Sequence, residues 1–575
     1  MKTLKNTRQM VNKGFLLLML CFAFLGCKKY FDPPDVFEEQ TIVNVKRKKV
    51  LLIGLDGITG ADLKTIAPPK IQEILTKSKY SYDGWTDMPV SDAGSWKNIM
   101  TGVSIGTHGV ADSSFDASST VIGGEHDARA VYPTFIERLQ GSGKIRYSAA
   151  ITTWQKLSQK LFIYSDFPIV VANDALVKDS TLKKIAEPNM DLVIANFNGA
   201  NKVGLTAGFD ANVPEYKNAV LQLDTYIGEL LAGIKARPTY AKEDWLVVIT
   251  STHGGDGKSF TSGSKRTRNI FTIYHQPNFV GKELPAQPVV DGVTTSSKNV
   301  LASISAANSV AYGLGTTGDF TIQFKVNLKA VPSGSNHATI LSKINAAYGN
   351  ATGWEFMYEA STKYFRVILG SGSSATLKFL VGTQVTDVNK WYSLALRVHT
   401  EGGKRYAQLF QDGKAVKEPT DITGFAMGTA SDLVIGTIAS SLGTCTQNVN
   451  QLAIYNTAIS PQAIQNFVCQ EQIPDTDPYF NNLIGYWPGN DAQGTLLKNY
   501  APNVTGKDLT ITATSGTNFA WAPLAAWTCT PGKLYLTHNS DISQQLYYWF
   551  GTNIEAKWVT NGKVWLSDFE SEFIK

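Results

Sequence analysis

The sequence predicts a doubly wound α/β domain followed by an all-β sandwich. Between residues 50 and 274, short apolar runs alternate with stretches of helical periodicity, which is the order expected of a parallel sheet covered by helices on both faces. From about residue 300 to residue 475, the runs become short and alternating, and turns separate them. The 43% hydrophobic and 18% charged content fits folded domains and excludes a disordered or collagen-like chain.

The first 26 residues are predicted to be an export signal. Basic residues up to Lys13 precede an apolar run at residues 15–25, which is too short to cross the ~30 Å hydrocarbon core of a bilayer as a helix. The run ends at Gly26-Cys27, which resembles a bacterial lipobox. That resemblance implies that Cys27 is lipidated and holds the chain in the cell envelope, at the outer membrane, with the leaflet left open. An ordinary cleaved signal with a chance cysteine is the alternative, and residues 27–45 are interpreted as a tether.

The net charge argues against a nucleic-acid partner, and the cysteines argue against a disulfide framework and a cysteine zinc site. The formal net charge is +5, and four of the basic residues stand in the first 13 positions, so the rest of the chain is close to neutral. A near-neutral chain without a basic stripe predicts no nucleic-acid partner. The cysteines beyond Cys27 are Cys445, Cys469 and Cys529. They are too few for a disulfide framework and match no zinc spacing, and their pairing is left open.

In the α/β region, the apolar run at residues 50–55 predicts a buried parallel strand, and Asp56 follows it directly. Asp56 is therefore expected at the carboxyl end of a strand, where open α/β sheets bind their ligands. Further strands are predicted at residues 147–152, 191–197, 245–250 and 270–274, and a helix at residues 216–234.

Four motifs in this region resemble the alkaline phosphatase superfamily, and in particular its type I phosphodiesterase and nucleotide pyrophosphatase branch. They are LLIGLDG at residues 51–57, SDAGSWKNIMTGVSIGTHGV at 91–110, LDTYIGELL at 223–231 and VVITSTHGG at 247–255. The resemblance implies two zinc ions bound by carboxylates and histidines at strand ends. It also implies a Ser or Thr nucleophile that one of these ions activates.

When the family's metal ligands are compared with this sequence residue by residue, only part of one metal site remains. Asp56 matches the first metal-binding Asp of the family. The nucleophile position falls at Asp92, with Ser91 beside it. An Asp can bind a metal but cannot form the family's alkoxide. Asp92 and Ser91 are therefore the candidates for the nucleophile position, and of the two only Ser91 has a hydroxyl group. His253 keeps the histidine of the last motif, whereas Thr252 stands where the family has an Asp.

The ligands of the second metal have no counterpart. The family pattern Asp-x-x-x-His reads Asn201 to Leu205, and Leu cannot bind zinc. The last family His falls near residues 258–260, where there is none, and His108 is interpreted as structural.

Two interpretations of the residual site follow. Asp56, Asp92 and His253 either hold at most one divalent ion such as zinc, with an open position, or hydrogen-bond to their neighbours in a domain without cofactor or activity. Loss of the second metal argues against two-metal phosphoryl transfer, so the prediction for enzymatic activity leans toward none.

The region after the α/β motifs has a different pattern. Residues 281–299 are interpreted as a linker, and residues 300–475 resemble the laminin-G-like, concanavalin A-like jelly roll. Such sandwiches often bind carbohydrate or protein, and a spacer without ligand is the alternative. Residues 476–530 form an aromatic, strand-like segment that completes the sandwich or forms a small β unit. The strand-like runs begin at Asp319, Tyr364, Trp391, Tyr406 and Asp432, a hairpin turn is predicted at residues 411–414, and a strand and short helix at residues 451–467.

The C-terminal segment returns to the first pattern. Residues 541–551 resemble the helix that closes domains of the phosphatase superfamily. The resemblance implies that the jelly roll is inserted in the α/β fold. Residues 46–280 are then the first part of the α/β domain, and residues 531–575 complete it.

Three functions remain open. The first is a lipid-anchored surface protein that binds glycans, with the α/β domain as a catalytically degenerate scaffold. The second is an anchored phosphodiesterase, phosphatase or sulfatase-like hydrolase that uses a single residual metal. The third is a non-catalytic structural or interaction module of an outer-membrane complex, whose partners are other envelope proteins. The first is favoured, because the family's metal ligands are incomplete and a jelly roll is present.

Overall fold

The computed structural model describes residues 46–117, 132–296, 298–330, 333–334, 337–346, 349–438, 441, 443–492, 494–514, 519 and 521–573. The export signal, the tether up to residue 45 and the predicted lipidation site Cys27 lie outside these residues. Over the described ranges, none of the helices combines the length and the apolar character that a membrane span requires.

An eight-stranded sheet forms the centre of the α/β domain, in the order β4-β3-β5-β1-β6-β7-β2-β8. The five strands from β4 to β6 are parallel, whereas β7 is antiparallel to both β6 and β2. The strands are β1 (Arg47–Leu55), β2 (Ser78–Trp85), β3 (Tyr147–Thr152), β4 (Phe167–Val170), β5 (Met190–Phe197), β6 (Glu243–Thr250), β7 (Asn269–His275) and β8 (Lys282–Glu283).

Strand β1 is buried on both faces, which explains its continuous apolar run. Val50 and Leu52 lie in one core cluster, and Leu51 and Ile53 lie in the cluster on the opposite face. Helices cover both faces, as expected of a doubly wound sheet. They are α1 (Gly60–Ile66), α2 (Pro69–Leu75), α3 (Asp92–Thr101), α4 (Ile105–His108), α5 (Phe135–Gly141), α6 (Gln155–Lys160), α7 (Asp174–Ala186), α8 (Gly199–Ala207), α9 (Pro214–Lys235) and α10 (Lys265–Arg268).

The second domain is an antiparallel β-sandwich whose strands are linked into a closed, barrel-like arrangement. The predicted hairpin at residues 411–414 is present, with positive φ at Asp412 and Gly413. The strands are β9 (Val289–Ser296), β10 (Val300–Ile304), β11 (Phe320–Leu328), β12 (Ser333–Gly334), β13 (His337–Ile344), β14 (Thr352–Glu359), β15 (Tyr364–Ser371), β16 (Leu377–Gln384), β17 (Trp391–Glu401), β18 (Lys404–Gln411), β19 (Lys414–Ala415), β20 (Thr420–Asp421), β21 (Leu433–Ile435), β22 (Gly443–Thr444), β23 (Thr446–Tyr455), β24 (Leu483–Trp487), β25 (Leu496–Leu497), β26 (Leu509–Ala513) and β27 (Trp521–Ala525).

The structure corrects the interpretation of residues 281–299 as a linker. Strand β8 joins the α/β sheet next to β2, and β9 pairs with β23 and β27 of the sandwich. Local composition did not predict β9, because its polar Thr and Ser residues pair with strands that lie 150 or more residues away in the chain. The segment at 476–530 completes the sandwich, since β24 pairs with β23, β26 with β10 and β27 with β9.

The two connections between the domains run side by side. Gln287 N donates to Tyr535 O at 2.9 Å, and Tyr535 N donates to Pro285 O at 2.8 Å. The sandwich domain contains one short α-helix, α11 (Pro461–Phe467), among the described residues. After the second connection, the chain forms helix α12 (Asp541–Phe550). Leu546 and Trp549 of α12 belong to the same core cluster as β1. The predicted fold, an α/β domain with an inserted jelly-roll sandwich, is confirmed.

One disulfide joins two segments of the sandwich domain. Cys469, just beyond α11, is bonded to Cys529, just beyond β27, across a sequence separation of 60 residues. Cys445 is buried as a free thiol. The bond therefore ties the last strand of the inserted domain to the end of its short helix.

Candidate functional site

The first candidate site lies at the carboxyl edge of the parallel strands. Asp56 follows β1, and Thr252 and His253 follow the neighbouring strand β6. Asp92 is the first residue of α3, whose N-terminus points toward the same edge. Because adjacent parallel strands end at one edge of a sheet, these distant segments converge as the motif order predicted.

Asp56 is buried and accepts four hydrogen bonds from neutral side chains. Its Oδ2 accepts from Asn196 Nδ2 at 2.7 Å and from Asn198 Nδ2 at 3.1 Å. Its Oδ1 accepts from Thr252 Oγ1 at 2.9 Å and from Trp96 Nε1 at 3.3 Å. These donors stabilise a carboxylate that has no access to solvent.

Asp92 forms an ion pair with His253. His253 Nε2 lies 2.7 Å from Asp92 Oδ1, and His253 Nδ1 lies 2.6 Å from the carbonyl oxygen of Gly254. Both ring nitrogens thus face oxygen acceptors, an environment that favours the doubly protonated imidazolium. The ring of Phe260 stacks on His253 with centroids 4.1 Å apart, in the region where the family would supply another His ligand.

The electrostatics of the site follow from burial and from this pairing. Burial, and next the charge of Asp92, raise the pKa of Asp56 to about 7, although the bonds from Asn196 and Asn198 oppose the shift. Burial lowers the pKa of His253, but the charge and hydrogen bond of Asp92 outweigh it, so the net shift is upward. A charged His253–Asp92 pair therefore lies beside a carboxyl group that titrates near neutrality.

The residues at the other family positions are engaged in structural roles. Ser91 Oγ accepts a hydrogen bond from Gly94 N at 3.0 Å and caps helix α3. Asn201 Nδ2 lies 3.5 Å from Asp92 Oδ2, while its Oδ1 is buried without a hydrogen-bond partner in the described structure. Leu205 is exposed, so it does not contribute to the site.

His108 has the surroundings of a structural residue. Its Nδ1 accepts from Val110 N at 3.0 Å, which leaves Nε2 to donate to Asn98 Oδ1 at 2.7 Å. Burial lowers the pKa of His108 to about 4, so this tautomer stays neutral at physiological pH.

These side chains do not fit the two-metal centre that the resemblance implied. Both oxygens of Asp56 already accept hydrogen bonds from neutral donors, and Asp92 Oδ1 is paired with His253. A bound metal would have to displace these partners, since its ligands must offer free lone pairs. Within the residues that the structure describes, no group of three or more His, Cys, Asp or Glu side chains is placed to hold a metal ion.

Three of the four donors to Asp56 were not identified in the sequence. Asn196 and Asn198 stand at the carboxyl end of β5, next to β1 in the sheet, and Trp96 lies one helical turn after Asp92. The sequence contains a signal for these donors, because two Asn residues flank Phe197 at the end of a buried apolar run. It becomes informative only with the strand order, which places β5 beside β1.

A second candidate site is a cavity of about 340 Å³ in the sandwich domain, between the start of β17 and the segment after β27. Two indole rings form its apolar part: Trp391 and Trp527 meet edge to face with centroids 5.2 Å apart. Their N–H groups donate to backbone carbonyls, Trp391 to Ala525 O at 2.7 Å and Trp527 to Gln470 O at 2.6 Å, so the rings are held in place.

Charged side chains line the rest of this cavity: Lys325, Lys390 and Asp412. A concave site with aromatic walls and a few polar groups is the usual form of a small-ligand site. None of these residues was singled out as a site residue in the sequence. The cavity depends on β27 and the disulfide-linked segment, which lie far from β11 and β17 in the chain.

The family comparisons agree with the two domains. Residues 116–271 match type I phosphodiesterase / nucleotide pyrophosphatase, and residues 296–465 match the concanavalin A-like lectin/glucanases superfamily. The first match begins beyond Asp56 and Asp92 and includes His253. No curated protein matches the chain. Part of each domain is thus similar to a known family, the type I phosphodiesterases in the first and the concanavalin A-like lectins in the second, as the sequence motifs predicted.

Solved structures resemble parts of the chain. Murine ectonucleotide pyrophosphatase / phosphodiesterase 5 is 17% identical with a TM-score of 0.29, and the alignment covers 36% of this chain and 57% of the murine chain. A protein of the alkaline phosphatase superfamily from Vibrio parahaemolyticus is 9% identical with a TM-score of 0.32, and the alignment covers 42% of this chain and 63% of the other. The chain thus spans less than two thirds of either structure.

Proposed function

We propose that this protein is a lipid-anchored glycan-binding protein of the cell envelope, in which the alkaline phosphatase-like domain is a non-catalytic scaffold. The observation that carries the proposal is the cavity walled by Trp391 and Trp527 in the concanavalin A-like domain. Flat aromatic rings beside polar groups suit a sugar ring, which has apolar C–H faces and a polar edge. Cys27 supplies the proposed anchor, and the bound partner is carbohydrate.

Substitution of Trp391 tests the glycan-binding proposal. Trp391→Ala removes one wall of the cavity, and we expect the affinity for a bound oligosaccharide to fall at least about tenfold, which is 1.4 kcal/mol. The measurement is calorimetric titration of the intact soluble chain with oligosaccharides found by screening a glycan array. Absence of any glycan ligand, or an unchanged affinity in Trp391→Ala, contradicts the proposal.

Trp521→Ala is the matched control. Trp521 belongs to β27 of the same domain, and its indole N–H also donates to a backbone carbonyl, that of Gly494 at 2.9 Å. It does not line the cavity. The control should therefore reproduce any general loss of packing and leave the affinity for the glycan unchanged.

The proposal that the α/β domain is a scaffold rests on the hydrogen bonds of Asp56 and Asp92. Their oxygens are bonded to Asn196, Thr252 and His253, so we expect at most one weakly held divalent ion at Asp56, Asp92 and His253. We also expect no turnover of aryl phosphate, phosphodiester or sulfate esters with added zinc, because two-metal catalysis stabilises both the attacking and leaving oxygens.

Metal analysis and activity assays of the purified chain test the scaffold proposal. Stoichiometric zinc at more than one ion per chain contradicts it. So does turnover that is lost in Ser91→Ala or Asp92→Ala, the two residues at the family's nucleophile position. Either result would support the hydrolase instead.

A further inference from the structure

Lys325 is a buried lysine in the wall of the aromatic cavity. It lies on β11 and is 1% exposed. Its Nζ donates to the carbonyl oxygens of Phe467 at 2.8 Å and Val468 at 2.6 Å. These carbonyls close the C-terminus of helix α11, where the helix dipole favours a cation. Two of the three ammonium N–H donors are thus used, and one remains for another partner.

The positive charge of Lys325 has no counter-ion in the described structure. None of the ion pairs includes Lys325, and its other close neighbours are the rings of Trp527 and Phe467, at 4.3 and 4.9 Å from Nζ. Asp412 attracts it only from a distance, and Asp412 accepts a hydrogen bond from Ser393 N at 2.9 Å. Burial consequently lowers the pKa of Lys325 to about 7.

A buried ammonium without a carboxylate is costly, and proteins usually pair such a charge or leave it neutral. The charged side chains of the lining are Lys325, Lys390 and Asp412, and Lys390 Nζ also pairs with Asp387 at 3.8 Å. The buried charge without a carboxylate partner is therefore that of Lys325. An anionic group entering the cavity would meet the free N–H of Lys325 and would restore its charge balance. Aromatic cavities for neutral ligands do not need such a residue.

We infer that the cavity binds an acidic sugar, with a carboxylate or sulfate group at Lys325 and the sugar ring against Trp391. The inference rests on the proposed glycan-binding function and names its ligand class. A uronate and a sulfated sugar present the same chemistry, an anionic oxygen group on a pyranose ring.

Titration of the intact soluble chain with matched sugars tests this inference. The probes are digalacturonate, its methyl ester, neutral galactobiose and galactose 6-sulfate. We expect one of the two anionic probes to bind at least about tenfold more tightly than the neutral probes, equivalent to 1.4 kcal/mol. Lys325→Met should abolish this preference, and whichever anionic probe binds identifies the source of the charge.

Lys343→Met is the matched control for loss of a buried lysine. Lys343 lies on β13 of the same domain, is fully buried, and donates to Ser309 Oγ at 3.0 Å and Ser431 O at 2.6 Å, outside the cavity. It should keep the preference for the anionic probe. If Lys325→Met does not fold, the comparison of acid with methyl ester on the unaltered chain still decides the inference.

The number of protons taken up on ligand binding is a second test. A lysine with a purely structural role would not change its protonation when the ligand binds. At pH 7, binding of an anion next to Lys325 should draw up to about half a proton per chain from the buffer, because the amine is partly neutral before binding. The uptake is measured by calorimetric titration in buffers of different ionisation enthalpy. The variants Lys390→Gln and Asp412→Asn show how much of the uptake comes from the other two charged residues of the cavity.

The outcomes separate the inference from the function on which it rests. Equal affinities for acid, ester and neutral sugar, or an unchanged acid preference in Lys325→Met, overturn the acidic-sugar inference while glycan binding stands. Absence of binding to any of these probes and to every glycan of the array overturns both.

Discussion

Asp56 shows at the level of single residues how hydrogen bonds from neutral side chains stabilise a buried carboxylate. Its two oxygens accept hydrogen bonds from two amides, a hydroxyl and an indole, all neutral. Each bond favours the ionised form, whereas burial and the neighbouring Asp92 favour the neutral form. The balance of these effects makes the site sensitive to the loss of any single donor.

Removal of Asn196 should destabilise the fold in a pH-dependent way. Asn196→Ala leaves Asp56 Oδ2 with only the 3.1 Å bond from Asn198, and it removes the acceptor of the buried Thr152 hydroxyl. We expect a cost of about 1–3 kcal/mol in the free energy of unfolding. Since the pKa of Asp56 is raised to about 7, the cost should be larger at pH 8.5, where Asp56 is ionised, than at pH 5.5. Urea unfolding at both pH values measures it.

The control for this variant is Asn189→Ala. Asn189 is exposed just before the other end of β5, where its side chain accepts from Arg146 at 2.8 Å. Its removal should cost less than about 0.5 kcal/mol at either pH. An equal cost for Asn196→Ala at both pH values would show that the ionisation of Asp56 does not depend on this bond.

Glu355 provides a second residue-scale prediction, in the sandwich. Burial raises its pKa to about 7, and only one of its oxygens has a hydrogen-bond partner among the described residues, Thr339 Oγ1 at 2.5 Å. The folded state therefore binds this proton more tightly than the unfolded chain. Its contribution to stability is present at low pH and is lost as the pH rises from about 4.5 to 7.

Glu355→Gln should remove this loss. Relative to the unaltered chain, the free energy of unfolding of Glu355→Gln should rise by up to about 3 kcal/mol between pH 4.5 and pH 8. Thermal or urea unfolding across this range measures the difference. Glu418→Gln, at an exposed position of the same domain, is the control and should follow the unaltered chain. Parallel profiles for Glu355→Gln and the unaltered chain would refute the assignment.

At the scale of elements, the wall of the aromatic cavity depends on two short segments held together covalently. Helix α11 supplies the carbonyls that bind Lys325, and the segment after β27 supplies Trp527. The Cys469–Cys529 bond links the two. These segments bury few residues of their own, so the covalent link limits how far they can separate.

Loss of the disulfide should lower stability substantially. A cross-link that closes a loop of 60 residues removes chain entropy from the unfolded state equivalent to about 4 kcal/mol. We expect Cys529→Ala, or reduction with dithiothreitol, to lower the free energy of unfolding toward this extent. Cys445→Ala, which removes the buried free thiol, should remain sensitive to reductant. Unfolding that is indifferent to both Cys529→Ala and reductant would contradict the expectation.

At the scale of the whole molecule, the α/β domain is made of two distant pieces of chain. Helix α12 packs on the sheet with Leu546 and Trp549 in the core of β1, and the sandwich lies between these pieces in the sequence. We expect that neither the first piece nor the central strands of the sandwich can form a closed core alone, because each shares its core cluster with segments that come later in the chain. The division of the chain into folding units therefore differs from the order in which its segments appear.

Fragments of the chain test this division. Residues 46–279 lack α12 and should aggregate, because the core face around β1 is left uncovered. Residues 287–529 contain β9 through β27 and should fold as a monomer, whereas residues 299–475 lack β9, β24, β26 and β27 and should not. Size-exclusion chromatography and thermal melts distinguish these outcomes. A monomeric, cooperatively melting 46–279 fragment would contradict the insertion.

The proposed anchor also belongs to the whole molecule. Cys27→Ser should release the chain from membranes, because each buried acyl methylene contributes about 0.8 kcal/mol to membrane binding. Detergent-dependent fractionation of the expressing cells measures the release. Cys21→Ser, within the apolar run of the same signal, is the matched control and should remain membrane-bound. Retention of Cys27→Ser in the membrane fraction would disprove lipidation at this position.

The strands that could be predicted from the sequence are those that consist of a continuous run of apolar residues. Strands β1, β3, β5, β6 and β7 are apolar runs, because helices cover both faces of this sheet. Strands β2 and β4 were missed, since β2 is rich in polar and aromatic residues and β4 is a short, largely exposed edge strand that contains Pro168. Their strand state depends on pairing with neighbours.

Motifs and hydrophobic periodicity are local properties, so the two fold types, the order of their pieces and the convergence of Asp56, Asp92 and His253 could be predicted from the sequence. The surroundings of these groups could not be predicted in this way. The donors Asn196, Asn198 and Trp96 reach Asp56 through the order of strands in the sheet. The cavity at Lys325 likewise requires β11, β17 and the segment after β27 to meet. Hydrogen bonding and burial depend on distances between remote segments, which local sequence does not contain.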